Sequence, residues 1–193
     1  DALTTGNSNT AVGQAALSDN TIGVSNVAIG KSALTNNTTA SNNTAVGQGA
    51  LFTNTTGTEQ TALGLNTLHS ATTSSFNTAL GSQSLTSVTT GRDNTAVGRA
   101  AGLLVTTGVE NTFIGGNSGN GNVVTSGSKN INIGYNVENG SATDEFVIVI
   151  GHNIAGSGNN FSFGKASNVV TNDFDADADW SRSSDLRLKK NIA

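Results

Sequence analysis

Proline, cysteine and methionine are absent from the 193 residues, and only nine are aromatic. Without cysteine there is no disulfide scaffold and no thiolate-ligated zinc, and nothing indicates a redox compartment. A chain without methionine has no initiator of its own and is expected to be a processed product or an excised piece. No run of 18 apolar residues exists, so no helix long enough to span a membrane is encoded, and no charged-then-apolar leader marks a signal peptide. Charged residues make up 11% and the net charge is −4, without basic blocks, which argues against nucleic acid as a partner. Leu, Ile, Val and Phe number 44 in all, close to the level at which chains stay disordered.

What fills the chain instead is polar and small: 26 Asn, 27 Thr, 21 Ser and 24 Gly. Such a composition cannot build a thick core of interlocking helices. It must stay disordered or reuse a thin core regularly along its length.

The sequence favours reuse, because a phrase ending in Gly recurs. It reads Asn9-Thr10-Ala11-Val12-Gly13, then Asn26-Val27-Ala28-Ile29-Gly30, then Asn43-Thr44-Ala45-Val46-Gly47. Degraded copies extend to Asn160-Phe161-Ser162-Phe163-Gly164, and the phrase glycines are spaced 17 residues apart six times running, then 19, 17 and 13. Four residues after the phrase Gly stand Leu17, Leu34, Leu51, Leu68 and Leu85, and polar turn-forming runs separate the units. Each unit therefore reads as a short strand, a Gly corner, a second apolar segment and a polar return. Seventeen residues are too few for a helix pair and suit one coil of a parallel β-solenoid.

Period-two geometry places Val12 and its equivalents on one face of the strand and the alanines on the other. The branched column, with the leucines, is expected to fill a thin interior. The opposite stripe of Ala11, Ala28, Ala45, Ala62, Ala79 and Ala96 is expected to let the backbone of another chain approach, with three chains packing through it. The plainer alternative is that alanine fills a narrow interior. Phe113 and Val149 interrupt the stripe and would force a trimer to widen. The Asn column (Asn9, Asn26, Asn43, Asn77, Asn94, Asn111, Asn130) predicts an amide ladder between coils. The phrase glycines predict a positive φ or a close backbone approach.

These phrases resemble the head repeats of trimeric autotransporter adhesins and similar repeats of bacteriophage tail fibres, over roughly residues 7 to 165. The resemblance implies a left-handed parallel β-roll, three chains about one axis and an extracellular or virion-surface setting. The family's usual repeat is nearer 14 residues. The stretch Ser184-Asp185-Leu186-Arg187-Leu188-Lys189-Lys190-Asn191-Ile192 looks like the start of the self-cleaving intramolecular chaperone domain that ends phage tailspikes and endosialidases. That likeness implies Ser184 as nucleophile, Lys189 as its general base and Ser183–Ser184 as the scissile bond. A lysine of depressed pKa can take a serine proton. Only ten residues run from Ser184 to the end, so a single-turnover self-cleavage is expected of a full-length precursor alone.

The expected organisation is thus a β-roll over 1–170, an acidic linker over 171–183 and the truncated start of a chaperone domain over 184–193. No cofactor and no metal are expected. Asp173, Asp175, Asp177 and Asp179 alternate like a calcium loop but lack its Gly and terminal Glu, and a solvated linker is preferred. His69 and His152 read as isolated surface residues. Glu59, Asp93 and Glu110 each stand five residues before a phrase Gly and share a corner column, which Arg92 or Arg99 could offset. A glycosidase would want two carboxylates about a cleft, but the sequence suggests no aromatic platform beside them, and an enzyme is not expected.

The expected function is a structural and adhesive segment of a trimeric phage tail fibre or tailspike, on the virion surface. Its partners would be itself as a homotrimer, other virion tail proteins and a host-surface glycan or protein met through coil-corner loops, with no nucleic acid and no membrane insertion. One alternative is a bacterial trimeric surface adhesin head, at the cell surface. Another is an ice- or surface-binding solenoid carrying the regular column Thr10, Thr44, Thr61, Thr78, Thr95 and Thr112. Sharing a face with the branched column, those threonines are expected inside.

Overall fold

A computed structural model describes residues 5–120 and 125–175. Each phrase becomes one three-residue strand, as β-branched residues alternating about a small one favour. β1 (Thr10–Val12), β2 (Val27–Ile29), β3 (Thr44–Val46), β4 (Thr61–Leu63), β5 (Thr78–Leu80), β6 (Thr95–Val97) and β7 (Thr112–Ile114) follow one per coil. β8 (Ile131–Tyr135) continues the series with a longer strand, and β9 (Glu138–Asn139) lies on a second wall. Next come β10 (Ile148–His152), β11 (Ala155–Gly156) and β12 (Asn160–Lys165), of which β11 pairs with β9. All strands of the main sheet up to β12 pair in parallel, with equal phrase positions side by side, as in Ala45↔Ala62 and Ala62↔Ala79. The protein is an all-β parallel solenoid with about 17 residues per coil, and the described residues contain no helix.

Hydrogen bonding between coils extends well beyond the strands. Leu34 N donates to Ala50 O at 3.0 Å, Leu51 N to Thr67 O at 3.0 Å, and Thr55 N to Thr72 O at 2.9 Å. The polar returns therefore keep their backbone groups paired without belonging to a sheet. At the Gly corner both anticipated reasons apply. Gly30 has φ 128, and a Cβ added there would fall 2.7 Å from the carbonyl carbon of Gly47 on the next coil.

The last coil closes differently from the rest. β13 (Asn168–Asp173) turns back antiparallel on β12, with Phe163 opposite Val170, and carries the sheet past residue 170. A hairpin at this place covers an edge that a further parallel strand would otherwise seek.

The two faces of the strand are reversed from the expectation. Ala28, Ala45, Ala62, Ala79 and Ala96 are fully buried within the single chain, whereas Val12, Ile29, Leu63, Leu80, Ile114 and Ile150 point outward and are exposed. Ala11, on the first coil, is exposed. The alanine stripe is thus a core stripe, as the plainer alternative had it, and is closed to a second chain. The reason lies on the opposite wall. Leu34, Leu51, Leu68 and Leu85 reach inward and are fully buried, and they leave space for only a methyl group on the strand side. Each of these leucines takes a left-handed φ, between 48 and 52. That costs an L-residue about 1–2 kcal/mol, which burying a leucine side chain, at about 1.5–3 kcal/mol, offsets.

Phe113 and Val149 continue the alanine column and are also interior. No widening between chains is needed to accept them. Gly102 and Gly119 replace the leucines of the opposite wall where Phe113 enters, and Gly156 stands opposite Val149.

Two polar ladders complete the interior. In the anticipated Asn column, Asn94 Nδ2 donates to Asn77 Oδ1 on the preceding coil at 3.1 Å and to Gly108 O on the following coil at 2.9 Å. Its backbone N–H also donates to Asn77 Oδ1, at 3.0 Å. The amides therefore bond both ways along the axis. A second ladder joins Asn20, Asn37 and Asn54 through Nδ2 to Oδ1 bonds of 2.9 and 3.1 Å.

Candidate interaction surfaces

Reversal of the faces creates the most extended surface feature, an apolar stripe on the outer side of the main sheet. The column Val12, Ile29, Val46, Leu63, Leu80, Val97 and Ile114 runs along it, one residue per coil. Beside it, two residues back along each strand, lies the column Thr10, Val27, Thr44, Thr61, Thr78, Thr95 and Thr112. The threonines expected inside are therefore outside: Thr10, Thr61 and Thr78 are exposed, and Thr44, Thr95 and Thr112 are half-buried. The two columns carry no charge. Successive rows lie about one strand spacing apart, roughly 4.8 Å.

A second feature follows the coil corners five residues before each phrase Gly. Ser8, Ser25, Asn42, Glu59, Phe76, Asp93, Glu110, Lys129, Phe146 and Asn159 occupy it in turn, all with left-handed φ between 54 and 62. Backbone bonds hold the corners in register: Phe76 N donates to Thr58 O at 3.1 Å, and Glu110 N to Arg92 O at 3.1 Å. The column contains the three carboxylates anticipated from sequence, and Arg92 Nη1 meets Asp93 Oδ2 at 2.7 Å. It also contains two aromatics that the sequence pattern did not bring out. Phe76 and Phe146 share the five-before-Gly position with Glu59 and Asp93, and counting back from every phrase Gly is the signal that finds them. Lys129 Nζ lies 4.9 Å from the centre of the Phe146 ring, one coil away.

The remaining candidates are small. His69 stacks on Phe52 at 5.1 Å and His152 on Tyr135 at 5.5 Å, each pair one coil apart. Asp175 Oδ2 accepts from Asn159 Nδ2 at 2.7 Å, and Asp173 Oδ1 accepts from the Asp175 backbone N–H at 2.9 Å. Among the described residues no group of three or more metal-ligating side chains converges. Asp177, Asp179, Ser183, Ser184 and Lys189 lie outside the described residues, so the cleavage junction implied by resemblance has no geometry here.

No family model, curated protein or solved structure matches this chain. The chemistry of the surfaces themselves therefore carries the functional reading.

Proposed function

We propose that the chain is a structural and adhesive segment of a trimeric fibre, of the kind found in phage tail fibres and tailspikes, and that it is a left-handed β-roll. Three copies pack about a common axis through the outward stripe of Val12, Ile29, Leu63, Leu80, Ile114 and Ile150. The single observation carrying this reading is the exposure of that uncharged apolar column along a regularly bonded sheet. Monomeric proteins rarely leave a continuous apolar surface of this kind to water. Parallel copies would meet with the same rows at the same heights, so each aliphatic side chain finds its own kind. The resemblance of the phrases to trimeric adhesin and tail-fibre repeats supplies the number three. Corner loops, facing outward from such a rod, are where a host surface would be met. In the precursor, the Ser184 and Lys189 motif would serve release of a chaperone.

Light scattering tests the reading. It should give three times the 19.4 kDa chain mass, and a monomer would end it. Leu63→Asp with Leu80→Asp should dissociate the trimer, because both side chains point away from the interior.

The Thr column favours one second reading, a solenoid that binds ice or another ordered surface. Its threonines lie on the outer face beside aliphatic neighbours, one row per coil, with Thr10, Thr61 and Thr78 exposed. Thermal hysteresis in a monomeric sample would select it over the fibre.

A further inference from the structure

The strand wall changes character over its last three parallel strands. β1 to β7 have three residues each, and their outward pair is a threonine, or Val27 on β2, beside an aliphatic side chain. β8, β10 and β12 run on past the phrase Gly to five, five and six residues. In the threonine column, Thr112 is followed in register by Ile131, Ile148 and Phe161. The column beyond the phrase Gly joins the sheet here as Tyr135, His152 and Lys165, again in register. Between these two flanks, Ile133, Ile150 and Phe163 continue the aliphatic column of the earlier coils.

The two flanks differ in chemistry. On one, Ile131 is exposed and Phe161 is half-buried, its ring 5.6 Å from that of Phe163. On the other, Tyr135 and His152 are exposed and stacked at 5.5 Å, and Lys165 is exposed and makes no ion pair among the described residues. No carboxylate stands in any of the three columns. Rotation about an axis along the rod brings the first flank of one copy to the second flank of the next, strand for strand at equal heights. Antiparallel copies would instead turn the lysine flanks on each other.

We infer that subunits are clasped through these unlike flanks: Ile131, Ile148 and Phe161 of one copy lie against Tyr135, His152 and Lys165 of the next. The Lys165 ammonium then sits over the neighbouring copy's Phe161 ring, an attraction that grows as water is excluded. Within one chain Lys129 already takes this geometry over Phe146, at 4.9 Å. The inference rests on the parallel packing proposed above and names the side chains that join one subunit to its neighbour.

Phe161→Cys combined with Lys165→Cys tests it, in a chain that has no cysteine of its own. The two positions are four residues apart on one extended strand, about 13 Å, which is too far for a disulfide within the chain. Mild oxidation of the double variant should link three chains into a closed ring on a non-reducing gel, and either single variant should stay unlinked. Phe161→Thr, which restores the residue of the earlier coils, should weaken association at least tenfold by sedimentation while the dissociated chain keeps its circular dichroism spectrum. Linked dimers from either single variant would overturn the inference, because like flanks would then meet. So would a double variant that light scattering shows as a trimer and oxidation leaves unlinked, or an unchanged dissociation constant for Phe161→Thr. Each of these three results leaves the fibre reading standing, whereas a monomer by light scattering removes both.

Discussion

Phe113 and Gly119 share one volume. A Cβ added to Gly119 would collide with the Phe113 ring, and one added to Gly102 would stand 2.8 Å from Phe113 Cδ2. In the preceding coils the same space is shared between an alanine on the strand and a leucine on the far wall. Here the large side chain has moved to the strand and the far wall is bare on two successive coils. One phenyl ring thus stands against the two positions from which leucines would otherwise reach inward.

Phe113→Ala should therefore destabilise by about 3–5 kcal/mol, the usual cost of emptying a buried aromatic position. Adding Gly119→Leu restores the pairing of the earlier coils. It should recover at least about 1 kcal/mol, within the usual coupling between residues in contact. Gly119→Leu alone should be strongly destabilising. Denaturant melts of the three variants provide the double-mutant cycle, and additive effects would contradict the shared volume.

Gln60 joins the two amide ladders. The Asn20, Asn37 and Asn54 ladder stops because Ala71 takes the next place, leaving Asn54 Oδ1 without its axial donor. Gln60 supplies one, its Nε2 lying 3.2 Å from Asn54 Oδ1, while its Oε1 accepts from Ser74 Oγ at 3.0 Å and Asn77 Nδ2 at 3.2 Å. Gln60→Asn, one methylene shorter and identical to most other phrases, should cost about 1–3 kcal/mol by orphaning a buried acceptor. An unchanged thermal midpoint would show the link to be dispensable.

Neighbouring residues on β4 should respond oppositely to change. Ala62→Leu overfills the interior and should cost about 1–3 kcal/mol of folding stability. Leu63→Ser, on the outer face, should change the stability of the isolated chain by less than about 0.5 kcal/mol. Urea melts at concentrations too low for association would separate the two, and the reverse order would mean that the faces are misassigned.

Ser162 continues the alanine column on β12 and is fully buried, and its Oγ has no hydrogen-bond partner. Ser162→Ala removes that orphan and should be neutral or stabilising by about 1 kcal/mol. A loss of stability in the melt would show that the hydroxyl is satisfied in solution.

The period, the strand positions, the Gly corners and the Asn ladder are all legible in the sequence because each depends on one residue type returning at a fixed interval. Which side of the strand faces inward is not, because alternation in a three-residue strand is symmetric. General hydrophobicity favours Val12 and Ile29 for the interior, yet the space is set by leucines on another wall. The signal that settles it is paired: Ala gives way to Phe113 on the same coil where Leu gives way to Gly119. Two columns that exchange bulk must face each other. The corner column is half legible, since the spacing aligns Glu59 with Asp93, whereas Phe76 and Phe146 at the same offset share no chemistry with them and do not stand out as members of their column.

Because, among the described residues, each coil bonds to the coils immediately beside it, the chain is gauged in whole turns. Excising residues 31–47 would join Gly30 to Gln48 and bring Leu17 beside Leu51, Ala28 beside Ala62 and Asn20 beside Asn54. Like would still meet like, and the rod would shorten by about 4.8 Å. Removing a single residue from the same stretch would turn one strand inside out. Reach, in such a molecule, is edited in quanta of seventeen.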